Sequence, residues 1–290
     1  MNNFSIITDS SCDLPAEMAN DMELTVLPLS FNLMDMEYYN YLDWCQISSK
    51  DFYSHIRAGE KCTTSAVNLD AFIKAIEPKL KNGEDVLCLA FSSGLSNTYN
   101  TAKLACEELS PKYPDRKVYA VDTLCASMGE GLMVYLAAQE KKRGKSIEEV
   151  RDFVEENKLH LCHWFTVEDL NHLKRGGRIS AATALIGTML SFKPVLHVDD
   201  EGHLINVGKA RGRRASLTAL VDHMEETAID PASQTVFISH GDSQEDADFV
   251  AEEVKNRLGV KKVITNYIGP VIGTHSGPGT IALFFLGSKR

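Results

Sequence analysis

Three short polar segments set among apolar runs carry the side chains best suited to hold a small anion: Thr63-Thr64-Ser65, Ser92-Ser93-Gly94-Leu95-Ser96 and Gly273-Thr274-His275-Ser276-Gly277-Pro278-Gly279. Hydroxyls and exposed backbone N–H groups bind an anion without a full positive charge. A carboxylate withdrawn from water requires such donors, because an unpaired buried charge is costly. In the second segment an apolar run ends in a glycine-containing loop that feeds a helix, the place where open parallel sheets bind ligands. Ser96 or Asn97 also suits ordinary capping of that helix. The threonines alone read as turn and cap chemistry, and gain weight only by converging with the other segments. Gly269, Gly273, Gly277 and Gly279, with Pro270 and Pro278, predict a fixed, irregular path that carries His275 into a site.

Other segments compete for attention. Gly94-Leu-Ser96-Asn-Thr98 comes within one residue of the nucleophile elbow Gly-x-Ser-x-Gly. That makes a serine hydrolase the rival reading, with Ser96 as nucleophile, His275 as base and Asp242 as orienter. In Leu173-Lys-Arg-Gly-Gly-Arg-Ile179, Lys174 and Arg175 suit a helix C-terminus and Gly176 a left-handed cap. Arg178 is left over. Lys209, Arg211, Arg213 and Arg214 precede or open a helix, where the dipole disfavours cations, so an acidic partner or phosphate is a candidate for docking on Arg178, Lys209, Arg211 and Arg213. In that third reading the chain is a regulator or adaptor. His160, Cys162 and His163 do not make a metal site, because strand alternation puts His163 on the face opposite His160 and Cys162. Asp9 to Asp13 follows the first strand and caps a helix that starts near Pro15, and it also borders the crevice. No phosphate loop, dinucleotide fingerprint or zinc signature is found, and no cofactor is expected.

The elements that must position these residues alternate. Strand patterns fall at 4–8, 24–31, 85–91, 117–122, 160–166, 194–198, 235–240, 263–267 and 281–286. Helical periodicity lies between them, at 98–109, 127–143, 167–174, 181–190, 212–227 and 243–258. Asn68 caps a further helix stopped by Asn82-Gly83, and Ser146-Ile-Glu-Glu149 is a capping box for the helix to about residue 158. The fold class is therefore α/β, with a parallel sheet in an N-terminal domain, 1–158. Asp199 to Gly202 reads as a hairpin turn and gives a C-terminal domain, 159–290, a mixed sheet.

A chain of 290 residues with 44% apolar and 24% charged residues has ample core. A net charge of −10 argues against nucleic acid or an anionic membrane as main partner, and simple solubility is its plainest consequence. Seven scattered cysteines without a Cys-x-x-Cys pair read as reduced thiols in a cytoplasmic protein. Met1 to Asp9 shows no basic n-region or apolar h-region, so export is not expected, and the apolar run 281–286 is too short to span a bilayer.

Together, Thr8 to Asp13, Thr63 to Ser65, Ser92 to Tyr99, Asp169 to Ile179, Lys193 to Leu196 and Gly269 to Gly279 resemble, in order, the DegV family of bacterial fatty-acid-binding proteins. Asn97 stands where the family usually has glycine, and Ser65-Ala66-Val67 where it has Ser-Gln-Pro. The resemblance implies a two-domain α/β carrier holding a long-chain fatty acid such as palmitate between its domains. It implies that Thr64 or Thr63 and Ser93 or Ser96 bind the carboxylate, with His275 completing the network. Some members present the acyl carboxylate to a fatty acid kinase for acyl-phosphate formation and do no chemistry themselves. The physics agrees: at about 0.8 kcal/mol per buried CH₂, about fifteen methylenes supply roughly 12 kcal/mol before association costs. Apolar positions at 184–190, 132–136 and Phe284-Phe285 are the candidate lining.

Overall fold

The computed structural model describes residues 4–180 and 191–290. The helix expected over 181–190, and the lining placed on it, lie outside the described residues. In chain order the first half runs β1 (Phe4–Asp9), α1 (Ala16–Asp21), β2 (Thr25–Leu27), β3 (Ser30–Leu33), β4 (Met36–Tyr39), α2 (Ser49–Arg57), β5 (Cys62–Ser65), α3 (Leu69–Lys81), β6 (Asp85–Ala90), α4 (Thr98–Leu109), β7 (Val118–Asp122), α5 (Met128–Lys142) and α6 (Ile147–Asn157). Then follow β8 (Leu161–Thr166), α7 (Asn171–Arg175), β9 (Phe192–Val198), β10 (Leu204–Arg211), α8 (Arg213–Thr227), β11 (Thr235–His240), α9 (Gln244–Leu258), β12 (Lys262–Tyr267), α10 (Pro270–Ser276) and β13 (Ile281–Leu286).

Strands up to Asp122 build a parallel sheet, β2-β1-β6-β7, and a small antiparallel sheet, β4-β3-β5. Strands from Leu161 onward build one mixed sheet, β10-β9-β8-β13-β11-β12. β6 reads as an almost unbroken apolar run because both faces of its sheet are packed into core. A core of α5, α6 and the sheets on either side joins the two halves, with Leu132, Met133, Val134 and Val150 buried beside Leu87, Phe165 and Phe284.

Local chemistry explains the boundaries. Asn68 accepts a hydrogen bond from the Ala71 amide at 2.9 Å, and Ser146 and Glu149 close a reciprocal capping box on α6. Asp199 turns the chain between β9 and β10 by accepting from the Glu201 and His203 amides.

The structure departs from the sequence reading at several points. The apolar run 24–31 is two strands in two sheets, broken at Pro28-Leu29. The threonine segment is no turn but strand β5, paired with β3 through Phe31 opposite Thr64. Residues 270–276 form a short helix opened by Pro270, where an irregular path was expected. The helix expected over 167–174 shortens to Asn171–Arg175. Gly177, with φ of 70°, takes the left-handed position assigned to Gly176, whose φ is −74°. Lys209 and Arg211 belong to edge strand β10, so the dipole argument does not reach them. Among the described residues no helix is long and apolar enough to cross a membrane.

Candidate functional site

A cavity of about 280 Å³ lies between the loops after β6 and β7 on one side and β8, β13 and α10 on the other. Its position beyond strand carboxyl ends is where an open parallel sheet leaves a crevice. Strand alternation decides what faces it. On β8 and β13, His163 opposite Phe284 and Phe165 opposite Ala282 all line the cavity. Their neighbours Cys162, Leu283 and Phe285 turn to the other face and pack against Leu220, Met224 and Val250. Phe285 is therefore core, not lining, and Cys162 and His163 are parted by the sheet. The expected lining at 132–136 also fails: Leu132 and Val134 are buried in the core beneath α5, and Leu136 borders a separate hollow with Gln139 and Arg143.

The polar groups gather at one end. Thr64 Oγ1 lies 2.8 Å from His275 Nε2. His275 Nδ1 is buried without a partner, and a buried N–H lacking an acceptor is the costlier orphan. We therefore place the ring proton on Nε2, donated to Thr64, which frees the threonine's own proton to point at a ligand. Burial, reinforced by the positive charge of Arg178, pulls His275 down to about 4, so the ring is neutral at pH 7. Gly176 makes this packing possible, since a Cβ there would fall 2.1 Å from His275 Nδ1. Arg178 lies beside them, half-buried, with Nε donated to Leu95 O at 3.2 Å and a second donor on Gly176 O. Burial lowers its pKa, the mark of a cation drawn partly out of water. Arg178 thus borders the cavity. Its signal in the sequence was that helix capping left it unexplained.

Thr64, Arg178 and His275 also border a second, outer groove of about 590 Å³, lined by Lys61, Thr63, His172 and Arg175. Thr63 lines this groove and not the inner cavity, whereas Thr64 borders both. Of the two serine candidates, Ser96 lines the cavity and shares a 2.9 Å hydrogen bond with Thr98. Ser93 is exposed, its amide donated to Asp122 Oδ1 at 3.2 Å. A hydrolytic triad is not assembled: the hydroxyl of Ser96 is paired with Thr98, His275 with Thr64, and Asp242 with Arg57 and Tyr267. Arg213 is partly engaged: Nε donates to Asp246 and Nη2 to Gly279 O, while the buried Nη1 lies 3.9 Å from Glu168 without a hydrogen bond. Lys209 and Arg211 remain exposed, Lys209 over the Phe192 ring.

Deeper in, His163 and Ser127 find their partners within the protein. His163 accepts from the Ala126 amide at Nε2 and donates Nδ1–H to Leu161 O, and burial keeps it neutral. Ser127, another lining residue, lies 2.5 Å from Asp13 Oδ2 and 2.9 Å from Ser239 Oγ. Asp13 Oδ1 accepts from the Gly269 amide at 2.9 Å, which ties the cavity wall to the start of α10. Burial pushes Asp13 up to about 8 and raises Asp9 and Glu130 as well. The sequence showed Asp13 only as part of a capping segment.

Fold and cavity define an α/β protein with a largely apolar chamber that shares Thr64, Arg178 and His275 with an outer groove. A family model described as "Uncharacterised protein, DegV family" matches residues 3–288. The chain belongs to the DegV family. A DegV domain-containing protein of Clostridium perfringens is 48% identical over 290 residues, covering 100% of this chain and 99% of the relative. Among solved structures, a DegV family protein from Thermus thermophilus, described by its fatty acid binding, is similar with a TM-score of 0.87 at 30% identity, covering 98% of this chain and 99% of the other. DegV of Bacillus subtilis, described as a fatty acid binding protein, has a TM-score of 0.84 at 28% identity, covering 99% and 100%.

Proposed function

We propose that this protein is a cytoplasmic carrier that binds a long-chain fatty acid, with the alkyl chain in the inner cavity and the carboxylate at Thr64, Ser96 and Arg178. His275 orients the Thr64 hydroxyl, and no residue of the chain performs a reaction. The observation that carries this reading is the contact of Thr64 with His275 on a wall shared by an apolar chamber and a cationic groove. Each methylene taken into the chamber contributes about 0.8 kcal/mol. The head group then needs only donors enough to avoid a desolvation penalty, and a guanidinium supplies the strongest of them. The fatty-acid-binding descriptions of the Thermus and Bacillus structures support the ligand class.

The carboxylate so placed borders the outer groove, whose Lys61 and Arg175 suit an incoming phosphate. A separate fatty acid kinase reaching in from that side would form the acyl phosphate. Protein stripped of lipid and incubated with palmitate should gain the mass of one palmitate in native mass spectrometry. Persistent absence of that adduct at excess ligand defeats the proposal. With ATP and bound palmitate, the protein alone should yield no acyl phosphate until a kinase is added.

A further inference from the structure

Most polar side chains of the inner chamber have partners: Thr280 donates to Ser276 O and Gly277 O, His163 uses both ring nitrogens, and Ser127 is held by Asp13 and Ser239. Ser276 is different. It lines the chamber, is 5% exposed, and its Oγ is buried with no hydrogen-bond partner. A buried hydroxyl left unpaired is a standing cost that a ligand oxygen relieves. Its place identifies which oxygen. Thr64, Arg178 and His275 border both the chamber and the outer groove, whereas Ser276 borders the chamber alone. One residue inward from His275, with consecutive Cα atoms about 3.8 Å apart, it sits beside the first few carbons behind a carboxylate held at the mouth. A plain hydrocarbon chain offers nothing there.

We infer that Ser276 selects acyl ligands bearing a hydroxyl close to the carboxyl end, such as 3-hydroxy fatty acids, and that rotation about its Cα–Cβ bond brings Oγ to that group. The inference rests on the fatty-acid reading of the chamber. Isothermal titration calorimetry on the full chain would compare hexadecanoic with 3-hydroxyhexadecanoic acid. The wild type should favour the hydroxy acid by about 3- to 10-fold, the range of one net hydrogen bond. Ser276→Ala should erase that preference while binding hexadecanoate as tightly as before or more so, and Ser276→Thr should keep it. Equal weakening of both acids by Ser276→Ala would instead make Ser276 a carboxylate donor and overturn the inference. A wild type without preference overturns it too. If neither acid binds, the fatty-acid reading itself falls.

Discussion

Thr64 and His275 divide one task between them. The imidazole is neutral because burial and the nearby guanidinium oppose its protonation, so it acts on the threonine through its N–H and not through charge. Thr64→Val keeps the shape and deletes the donor. Losing a hydrogen bond to a charged oxygen should weaken palmitate binding by about 10- to 100-fold. Ser93→Ala, which alters an exposed hydroxyl, should leave affinity within about 2-fold by the size of surface effects. Competition with a fluorescent fatty acid reads both, and equal behaviour of the two variants would refute the assignment. At this scale the sequence was legible in residue type and ambiguous in direction. It offered Thr63 or Thr64 and Ser93 or Ser96, because a spacing of one or three residues cannot say which side chain a pleat or a loop turns inward.

Elements place those side chains, and here the parallel and mixed sheets and several helix caps were legible while the small antiparallel sheet was not. The caps of α3 and α6 and the ends of β11 and β13 follow from short-range signals. Strand β5 does not: Cys62-Thr-Thr-Ser65 has no apolar alternation and is a strand only because β3 lies beside it. The β3–β4 hairpin escaped notice because Met34 and Asp35 turn it with positive φ and no glycine. Two adjacent glycines after α7 separate packing from conformation. Gly176→Ala drives a Cβ into the His275 ring and should cut palmitate affinity at least 10-fold, on the scale of a displaced catalytic or binding group. Gly177→Ala meets open space but keeps a φ of 70°, so it should cost about 1–2 kcal/mol of stability with affinity retained. Thermal melting beside ligand titration distinguishes the two. Reversal of that pattern would show that Gly176 does not gate the ring.

Across the whole molecule, buried carboxyls stitch the halves together. Asp13 reaches from the end of β1 to Ser127 at α5 and to Gly269 before α10, and its carbonyl accepts from Asn266 Nδ2 at 2.8 Å. Its pKa rises from 3.8 to about 8, so between those values the folded chain keeps a proton that the unfolded chain releases. Stability must then fall as pH rises through that window, by at most about 1.4 kcal/mol per unit from this group. Asp9 and Glu130, also raised by burial, act in the same sense. Asp13→Asn keeps an acceptor for Gly269 and loses the titration, so its urea-unfolding free energy should decline less steeply from pH 5 to pH 8. Slopes identical to wild type would exclude Asp13 as a source. None of this coupling was visible in the sequence, since residues 13, 127 and 269 meet only after three separate segments have folded.

The partition formed by Thr64, Arg178 and His275 has a compartment on each side. In the proposed reading, an amphiphile seated across it keeps its tail in the dark while its polar end faces a doorway. A second protein then works on that end without ever prising the hydrocarbon loose, and a water-insoluble substrate becomes addressable from solution.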